Sequence, residues 1–285
     1  MNHIANTDRQ IDLLTKKMLC PEKIPHSVPV FLGVDVGTAN VVSVVVDAAG
    51  NPLGGEIESA RVTREGMIVD YMGAVRIVIK QVENLRQKLD HPLLNGASAF
   101  PPQTDSGNIR ITANILEAAG LNVITMVDEP TAASRALGIS DGAVIDVGGG
   151  TTGVSILREG KVIATADEPT GGFQFDLVIS GGLGIPIEEA EAMKRDLEKQ
   201  RILLPVVRPV MEKVASIVSR YIDGYQVKDL YLVGGSCSFT GFQTLLQNQL
   251  GLATHMPQIP LFVTPLGIAL AAASSAEDKL NIFHG

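Results

Sequence analysis

The sequence has no tryptophan and few aromatic residues of any kind. Phenylalanine, tyrosine and tryptophan together make up 4% of the 285 residues, which argues against a stacking platform for single-stranded nucleic acid. Net positive charge is also lacking, because the chain carries a formal charge of −8 that would repel a phosphate backbone. The composition therefore disfavours nucleic-acid binding, although it allows a nucleotide that arrives with Mg²⁺.

Long apolar runs and cysteines are scarce as well. No run reaches the ~20 residues of a membrane span, and the polar first ten residues have no signal-peptide core, so the sequence predicts a cytoplasmic protein without a membrane partner. Cys20 and Cys237 lack metal-ligand spacing, and no histidine lies near Cys237 in the sequence. Structural zinc and thiol catalysis are both disfavoured.

Two glycine-rich segments stand out in what the sequence does contain. Residues 34–46 and 145–157 each lead from an apolar strand through an aspartate, Asp35 or Asp146, into glycine and threonine and back into a β-branched strand. Glycine lets successive backbone N–H groups turn toward one anion. A hairpin that binds nothing explains either segment alone, but two copies favour a phosphate held by two loops. The loops offer Gly37, Thr38, Ala39 and Asn40, and Gly148, Gly149, Gly150, Thr151 and Thr152.

These loops and two further segments resemble the motifs of a known superfamily. Together with residues 128–138 and 232–242, they are similar to the phosphate-1, phosphate-2, connecting-helix and adenosine motifs of actins, DnaK-type chaperones and sugar kinases. Within that superfamily the likeness is closest to the DnaK-like proteins of ethanolamine utilisation. The resemblance implies an α/β, two-lobed, actin-like (ribonuclease H-like) ATPase fold with a duplicated β-meander. The expected parts are an amphipathic helix and linker (1–29), a first lobe (30–142), a second lobe (143–265) and a C-terminal helix returning to the first lobe (266–285).

The resemblance also implies ATP or ADP with Mg²⁺ as ligands, and phosphoryl transfer from ATP to water. Asp35 and Asp146 would hold the hydrated cation from opposite lobes. The loop amides, with Thr38 and Thr151, would bind the β and γ phosphates, and Glu129 would position the attacking water. The expected catalytic residues are thus Glu129, Asp146 and Thr151. The residues alone also allow another interpretation, since an acid before Pro130 suits a helix cap.

The resemblance places the nucleoside on a helix and on a glycine turn. Glu191 and Lys194 match the pair that flanks the adenine ring in relatives, and Gly234, Gly235 and Ser236 match the adenosine motif. Each pattern has a simpler explanation. A Glu/Lys pair three residues apart is an ordinary surface pair, and a glycine turn also joins a strand to a helix.

Two departures from the superfamily pattern bear on activity. Residues 64–76 resemble bacterial actin-like proteins, and the phosphate-contacting lysine of DnaK has no counterpart there. Between Lys194 and Pro205 there is room only for the end of a helix and a turn, where relatives insert subdomain IIB. The second lobe should therefore have a reduced upper subdomain, too short for a kinase substrate pocket and without the longitudinal contacts of a filament.

Two functions stay open, and so does the status of the protein as an enzyme. The first is a chaperone-like protein that couples Mg-ATP binding and slow hydrolysis, as a weak ATPase, to lobe movement. It would act on a partner enzyme or assembly in ethanolamine utilisation. The second is a non-hydrolysing, nucleotide-responsive adaptor or scaffold of a bacterial microcompartment.

The N-terminal residues predict an amphipathic helix. Residues 7–10 have the form of a capping box, and Ile11, Leu14 and Met18 then fall on one helical face before a proline-punctuated linker, 21–29. This helix either packs on its own domain or addresses the protein to a partner or to a microcompartment.

Overall fold

Each half of the chain builds its own five-stranded sheet. The structure is a computed structural model that describes the backbone of residues 2–64 and 67–282 and the side chains of residues 3–64 and 67–276. Residues 65 and 66 of the predicted actin-like segment, and residues 283–285 of the predicted C-terminal helix, lie outside the described residues. The chain divides into two compact units, Met1–Ile139 with Phe262–Gly285, and Ser140–Leu261.

The sheet of the first unit combines a meander with two parallel strands. Its strand order is β3-β2-β1-β6-β7; β1, β2 and β3 are antiparallel, and β6 and β7 run parallel to β1. In chain order the elements are α1 (Asn2–Leu19), β1 (Val30–Val36), β2 (Asn40–Asp47), β3 (Pro52–Ser59), β4 (Thr63–Arg64), β5 (Met67–Ile68), α2 (Tyr71–Leu89), β6 (Asn95–Phe100), α3 (Ser106–Ala118), β7 (Asn122–Asp128) and α4 (Glu129–Leu137).

The second unit repeats that sheet. Its strand order is β10-β9-β8-β11-β12, with the same strand directions, so the predicted duplication of an actin-like meander is confirmed. The elements are β8 (Gly142–Val147), β9 (Thr152–Arg158), β10 (Lys161–Glu168), α5 (Gly172–Leu183), α6 (Ile187–Arg195), α7 (Leu197–Ile222), β11 (Asp229–Val233), the 3₁₀ turn Gly235–Ser238, α8 (Phe242–Leu250) and β12 (Ala253–His255); α9 (Val263–Ile282) then belongs to the first unit.

Apolar strands explain why helices cover both faces of the first sheet. Leu32 and Val45 pack with Val82 of α2 in one buried cluster. On α9 the small residues allow close contact with β1, since a side chain at Gly33 would overlap the backbone of Ala269. None of the helices in the described ranges combines the length and apolar character that a bilayer crossing requires.

The junction of α6 and α7 confirms that the second unit lacks an inserted subdomain. Asp196 alone joins the two helices, as C-cap of α6 and N-cap of α7. Helix α7 begins earlier than the sequence suggested, so Pro205 and Pro209 lie inside it. Proline removes a helical hydrogen bond, but both prolines are exposed, and the buried opposite face of α7 holds the helix together.

The N-terminal helix starts at Asn2, so the capping-box prediction at residue 7 is wrong. Thr7 lies inside α1, and its single hydroxyl proton is shared between two carbonyl oxygens, His3 O at 3.1 Å and Ala136 O of α4 at 3.0 Å. A threonine that bonds back to its own helix cannot cap that helix. Ile11 and Leu14 are buried, which shows that α1 packs on its own unit.

The segment after α1 is also held in place. Ile24 N donates to Leu89 O at 2.8 Å, and the ring of His26 bonds Asp90 O at 2.8 Å. The His91 ring bonds Val28 O at 3.1 Å. These contacts dock residues 24–28 on the C-terminal end of α2, which makes the segment a fixed connection in this structure.

We expect Leu14→Ala to lower the free energy of unfolding by about 2–5 kcal/mol, because it empties a buried site. Leu19→Ala is the matched control on the same helix. The Leu14 side chain is 0% exposed and Leu19 is 83% exposed, so the control should stay within about 0.5 kcal/mol of wild type. Chemical denaturation measures both, and equal effects would contradict the docking of α1.

Candidate functional site

The first glycine-rich loop follows β1 and is closed by one backbone hydrogen bond. Gly37 N donates to Asn40 O at 3.0 Å, and the side chain of Asn40 accepts from Ser59 Oγ at 3.2 Å. Thr63 Oγ1 donates to Thr38 Oγ1 at 3.1 Å. A hydroxyl that accepts still has its own proton to donate, so the Thr38 hydroxyl keeps a donor for a ligand.

Glu129 is the first residue of α4, as the sequence predicted, but it is not the cap. Asp128 is the N-cap, and its carboxylate accepts from Thr131 N at 3.0 Å. Pro130 follows within the first turn. Asp128, and not Glu129, is therefore the residue that caps α4. A role for Glu129 at a phosphate stays a prediction.

The second glycine-rich loop repeats the closure of the first. Gly148 N donates to Thr151 O at 3.0 Å, which matches the 3.0 Å bond of Gly37 N in both spacing and length. Asp146 lies in β8 two residues before the loop, as Asp35 does in β1. The two loops are thus alike in structure as well as in sequence.

The start of α5 decides which way the second loop points. Gly172 N donates to Gly148 O at 2.9 Å, and Phe173 N donates to Gly149 O at 2.8 Å. In a trans peptide the carbonyl and the following N–H point in opposite directions, and the described chain has no cis peptide. The N–H groups of Gly149 and Gly150 therefore point away from the start of α5.

Close approach of α5 to this loop requires glycine. A Cβ built on Gly171 would lie 2.7 Å from Thr151 N and 2.8 Å from both Gly148 O and Gly150 C. These are backbone atoms, which cannot turn aside as a side chain can. The adjacent glycines 171 and 172 are visible in the sequence, but only the structure shows that Gly171 lies against the loop backbone.

The turn after β11 reaches the same loop. Ser236 Oγ donates to Gly148 O at 2.8 Å. Gly234 has φ +86°, and a Cβ there would overlap Asp146 Oδ1, so this position needs glycine for both its conformation and its contact. The predicted adenosine motif and the predicted phosphate loop are therefore brought together within the second unit.

Glu191 and Lys194 each contact another charged residue. Arg195 Nη2 lies 2.6 Å from Glu191 Oε1, and Lys194 Nζ lies 2.6 Å from Asp176 Oδ1. Burial raises the pKa of Asp176, and the adjacent ammonium group of Lys194 opposes that rise. The sequence analysis did not predict Asp176 as the partner of Lys194; only the structure shows this contact.

The two threonines of the second loop have internal partners. Burial raises the pKa of Asp167 of β10, and the neighbouring Thr151 hydroxyl counteracts the rise. The Thr152 side chain is buried, and its hydroxyl donates to Thr170 O. The Thr152 hydroxyl thus stabilises the unit from inside, which differs from the phosphate contact expected from the sequence.

Solved structures of low sequence identity share the fold. MreB5 of Spiroplasma citri bound to AMPPNP gives a TM-score of 0.69 at 16% identity over 90% of this chain and 99% of that chain. The PilM–PilN type IV pilus biogenesis complex gives 0.67 at 16% identity over 87% and 99%. The family model described as type IV pilus assembly protein PilM matches residues 106–263. The protein therefore has the actin-like ATPase fold.

Relatives of higher identity define the family. Ethanolamine utilization protein EutJ of Salmonella typhimurium is 44% identical over 250 residues, which are 87% of this chain and 88% of that protein. The crystal structure of EutJ from Carboxydothermus hydrogenoformans is 42% identical, with a TM-score of 0.89 over 94% of this chain and 99% of that chain. The chain therefore belongs to the EutJ family of ethanolamine utilization proteins. Its match to the PilM family model agrees with the actin-like fold.

A chaperone likeness is present but partial. The chaperone protein HscA homolog of Methylibium petroleiphilum is 30% identical over 168 residues, which are 54% of this chain and 26% of that protein. This match supports the DnaK-type resemblance of the loops and carries no activity over to this chain.

We expect Gly171→Ala to destabilise the second unit by about 1–3 kcal/mol, the usual cost of overpacking, because the added Cβ meets backbone atoms of the loop. Gly181→Ala is the matched control, since Gly181 lies in α5 with nothing within 4 Å of an added Cβ. The control should be neutral or stabilising by about 0.5–1 kcal/mol. Thermal unfolding compares the two, and a harmless Gly171→Ala would refute the close seating of the loop.

Proposed function

We propose that this protein binds ATP or ADP together with Mg²⁺ through its two glycine-rich loops. The main support is the second loop, whose carbonyls are held by α5 and Ser236 so that the N–H groups of Gly149 and Gly150 point away from α5. Backbone N–H groups arranged in this way bind anions. The MreB5 structures were solved with AMPPNP and with ADP, which agrees with a nucleotide in this fold.

The residues present fit a phosphate with its cation. Asp35 and Asp146 are the two carboxylates near the ends of β1 and β8, just before the loops. A cation with so few protein ligands keeps its waters, as Mg²⁺ prefers. Bound Mg²⁺ would neutralise part of the phosphate charge.

The proposed roles follow the loops. The backbone amides of both loops and the Thr38 hydroxyl would donate hydrogen bonds to the phosphate oxygens. Glu129 would orient the water that attacks the γ-phosphate. The nucleoside is assigned to the α6 side and to the β11 turn, through Glu191 and the residues Gly234, Gly235 and Ser236.

The finer proposal is a chaperone-like action in ethanolamine utilization. Binding and slow hydrolysis would be coupled to a lobe movement that a partner protein recognises. The support is the EutJ family of the relatives and the partial HscA match. A partner enzyme or a microcompartment component is the proposed client.

Two observations favour a non-hydrolysing adaptor as the second candidate. The Thr151 hydroxyl, expected at the β and γ phosphates, lies beside the carboxyl group of Asp167, and α6 passes directly into α7 without an inserted subdomain. Both features fit a protein that senses a nucleotide and leaves it intact.

Calorimetry with Mg²⁺ and ATP or ADP tests the binding. We expect saturable heat that disappears when EDTA removes Mg²⁺, because the carboxylates Asp35 and Asp146 would otherwise repel the phosphates. Asp146→Ala should weaken binding. The protein must first be freed of bound nucleotide; no heat at millimolar ligand would then rule out the proposed function.

Glu129→Ala separates hydrolysis from binding. If the protein hydrolyses ATP, turnover should fall by about 10²-fold, the scale of losing one preorganised catalytic group, while affinity for ADP stays near wild type. Glu83→Ala, which changes an exposed acid of α2 in the same unit, is the control. Wild-type turnover in Glu129→Ala would reject the role of Glu129, and no turnover in wild type would favour the adaptor.

A further inference from the structure

We propose that Lys194 is a positioning residue that holds the second phosphate loop through the backbone of Gly172, and that it does not contact the nucleoside. The inference rests on the proposed function, because it assumes that this loop binds phosphate. It concerns only residues of the second unit.

The ammonium group of Lys194 is directed inward. Nζ lies 2.6 Å from Asp176 Oδ1 and donates to Gly172 O at 2.9 Å. The two side chains are 17% and 5% exposed. An ammonium with two short, largely buried contacts of this kind is costly to redirect toward a ligand.

Gly172 transmits this hold to the loop. Its carbonyl accepts from Lys194, while its N–H donates to Gly148 O at 2.9 Å. A Cβ on Gly172 would lie 3.3 Å from Lys194 Nζ and 2.5 Å from Ser236 Oγ. One residue without a side chain is thus fixed between the lysine, the loop and the β11 turn.

The backbone of Lys194 is fixed as well. Gln200 Nε2 donates to Lys194 O at 2.9 Å. Gln200 Oε1 in turn accepts from Thr240 N at 2.9 Å and from Thr240 Oγ1 at 2.7 Å. Gln200 is buried, so the contacts of Lys194 connect α7 and the segment after the β11 turn to the loop.

Glu191 keeps its proposed role at the nucleoside. It lies one helical turn before Lys194 and pairs with Arg195, which is half exposed. Helix α6 would then use Glu191 for the ligand and Lys194 for the loop. This division explains why the two residues have different partners.

The test uses the double variant Asp176→Leu/Lys194→Met, which removes both charges. Lys194→Met alone would leave a buried carboxylate without its partner and could unfold the unit, whereas apolar replacement of a whole buried ion pair is usually tolerated. Lys199→Met is the matched control, because this lysine is half exposed and lies 3.6 Å from Asp196.

Calorimetry is done with ADP and pyrophosphate, each with Mg²⁺, and with adenosine. We expect the Kd of ADP and of pyrophosphate to rise about tenfold in the double variant, equivalent to about 1.4 kcal/mol of lost preorganisation. The Kd of adenosine should not change, and Lys199→Met should match wild type for all three ligands. A purely structural role of Lys194 would not separate phosphate ligands from adenosine.

Two results would overturn the inference. Weaker adenosine and ADP binding with unchanged pyrophosphate binding would make Lys194 a nucleoside ligand. Unchanged affinities in a folded double variant would make it irrelevant to binding.

Amide hydrogen exchange without ligand keeps the inference separate from the proposed function. Faster exchange at Gly172 and Phe173 in the double variant supports the hold on the loop even if wild type binds none of the three ligands, a result that would refute only the proposed function. Unchanged exchange at these amides contradicts the inference whatever the ligands do.

Discussion

The carbonyl oxygen of Gly148 accepts two hydrogen bonds, from Gly172 N at 2.9 Å and from Ser236 Oγ at 2.8 Å. A carbonyl held on one side turns the next N–H to the other side, because the peptide is planar and trans. The direction of the loop amides therefore depends on where α5 and the β11 turn are placed. Without these two partners the backbone of the loop glycines could adopt many conformations, and the direction of their N–H groups would not be fixed.

Glycine serves close contact more than flexibility in this unit. Side chains at Gly171 and Gly234 would overlap the loop backbone and Asp146, respectively. The sequence showed glycine pairs at these places, and a pair of glycines is compatible with a simple turn. The atoms that an added Cβ would meet distinguish a simple turn from a position where another segment packs closely on the glycine.

Local patterns were reliable where one short stretch decides the outcome. Both loops close with the same bond, from Gly37 N and from Gly148 N, and Glu129 begins α4 as Pro130 indicated. Patterns failed where a side chain had a choice of partners. Thr7 has the form of a cap, but it bonds back along α1 and across to Ala136 O, and Asp128 caps α4 instead of its neighbour.

The sequence by itself determined the duplicated meander, the two aspartates that precede glycine loops, the missing inserted subdomain and the apolar face of α1. Each of these depends on residues close together in the chain, where spacing alone sets which groups face the same way. The tertiary structure decided the partner of Lys194, the internal contacts of Thr151 and Thr152, and the docking of α1 on its own unit. Those contacts join residues far apart in the chain, and burial selects among several partners that the sequence leaves equally available.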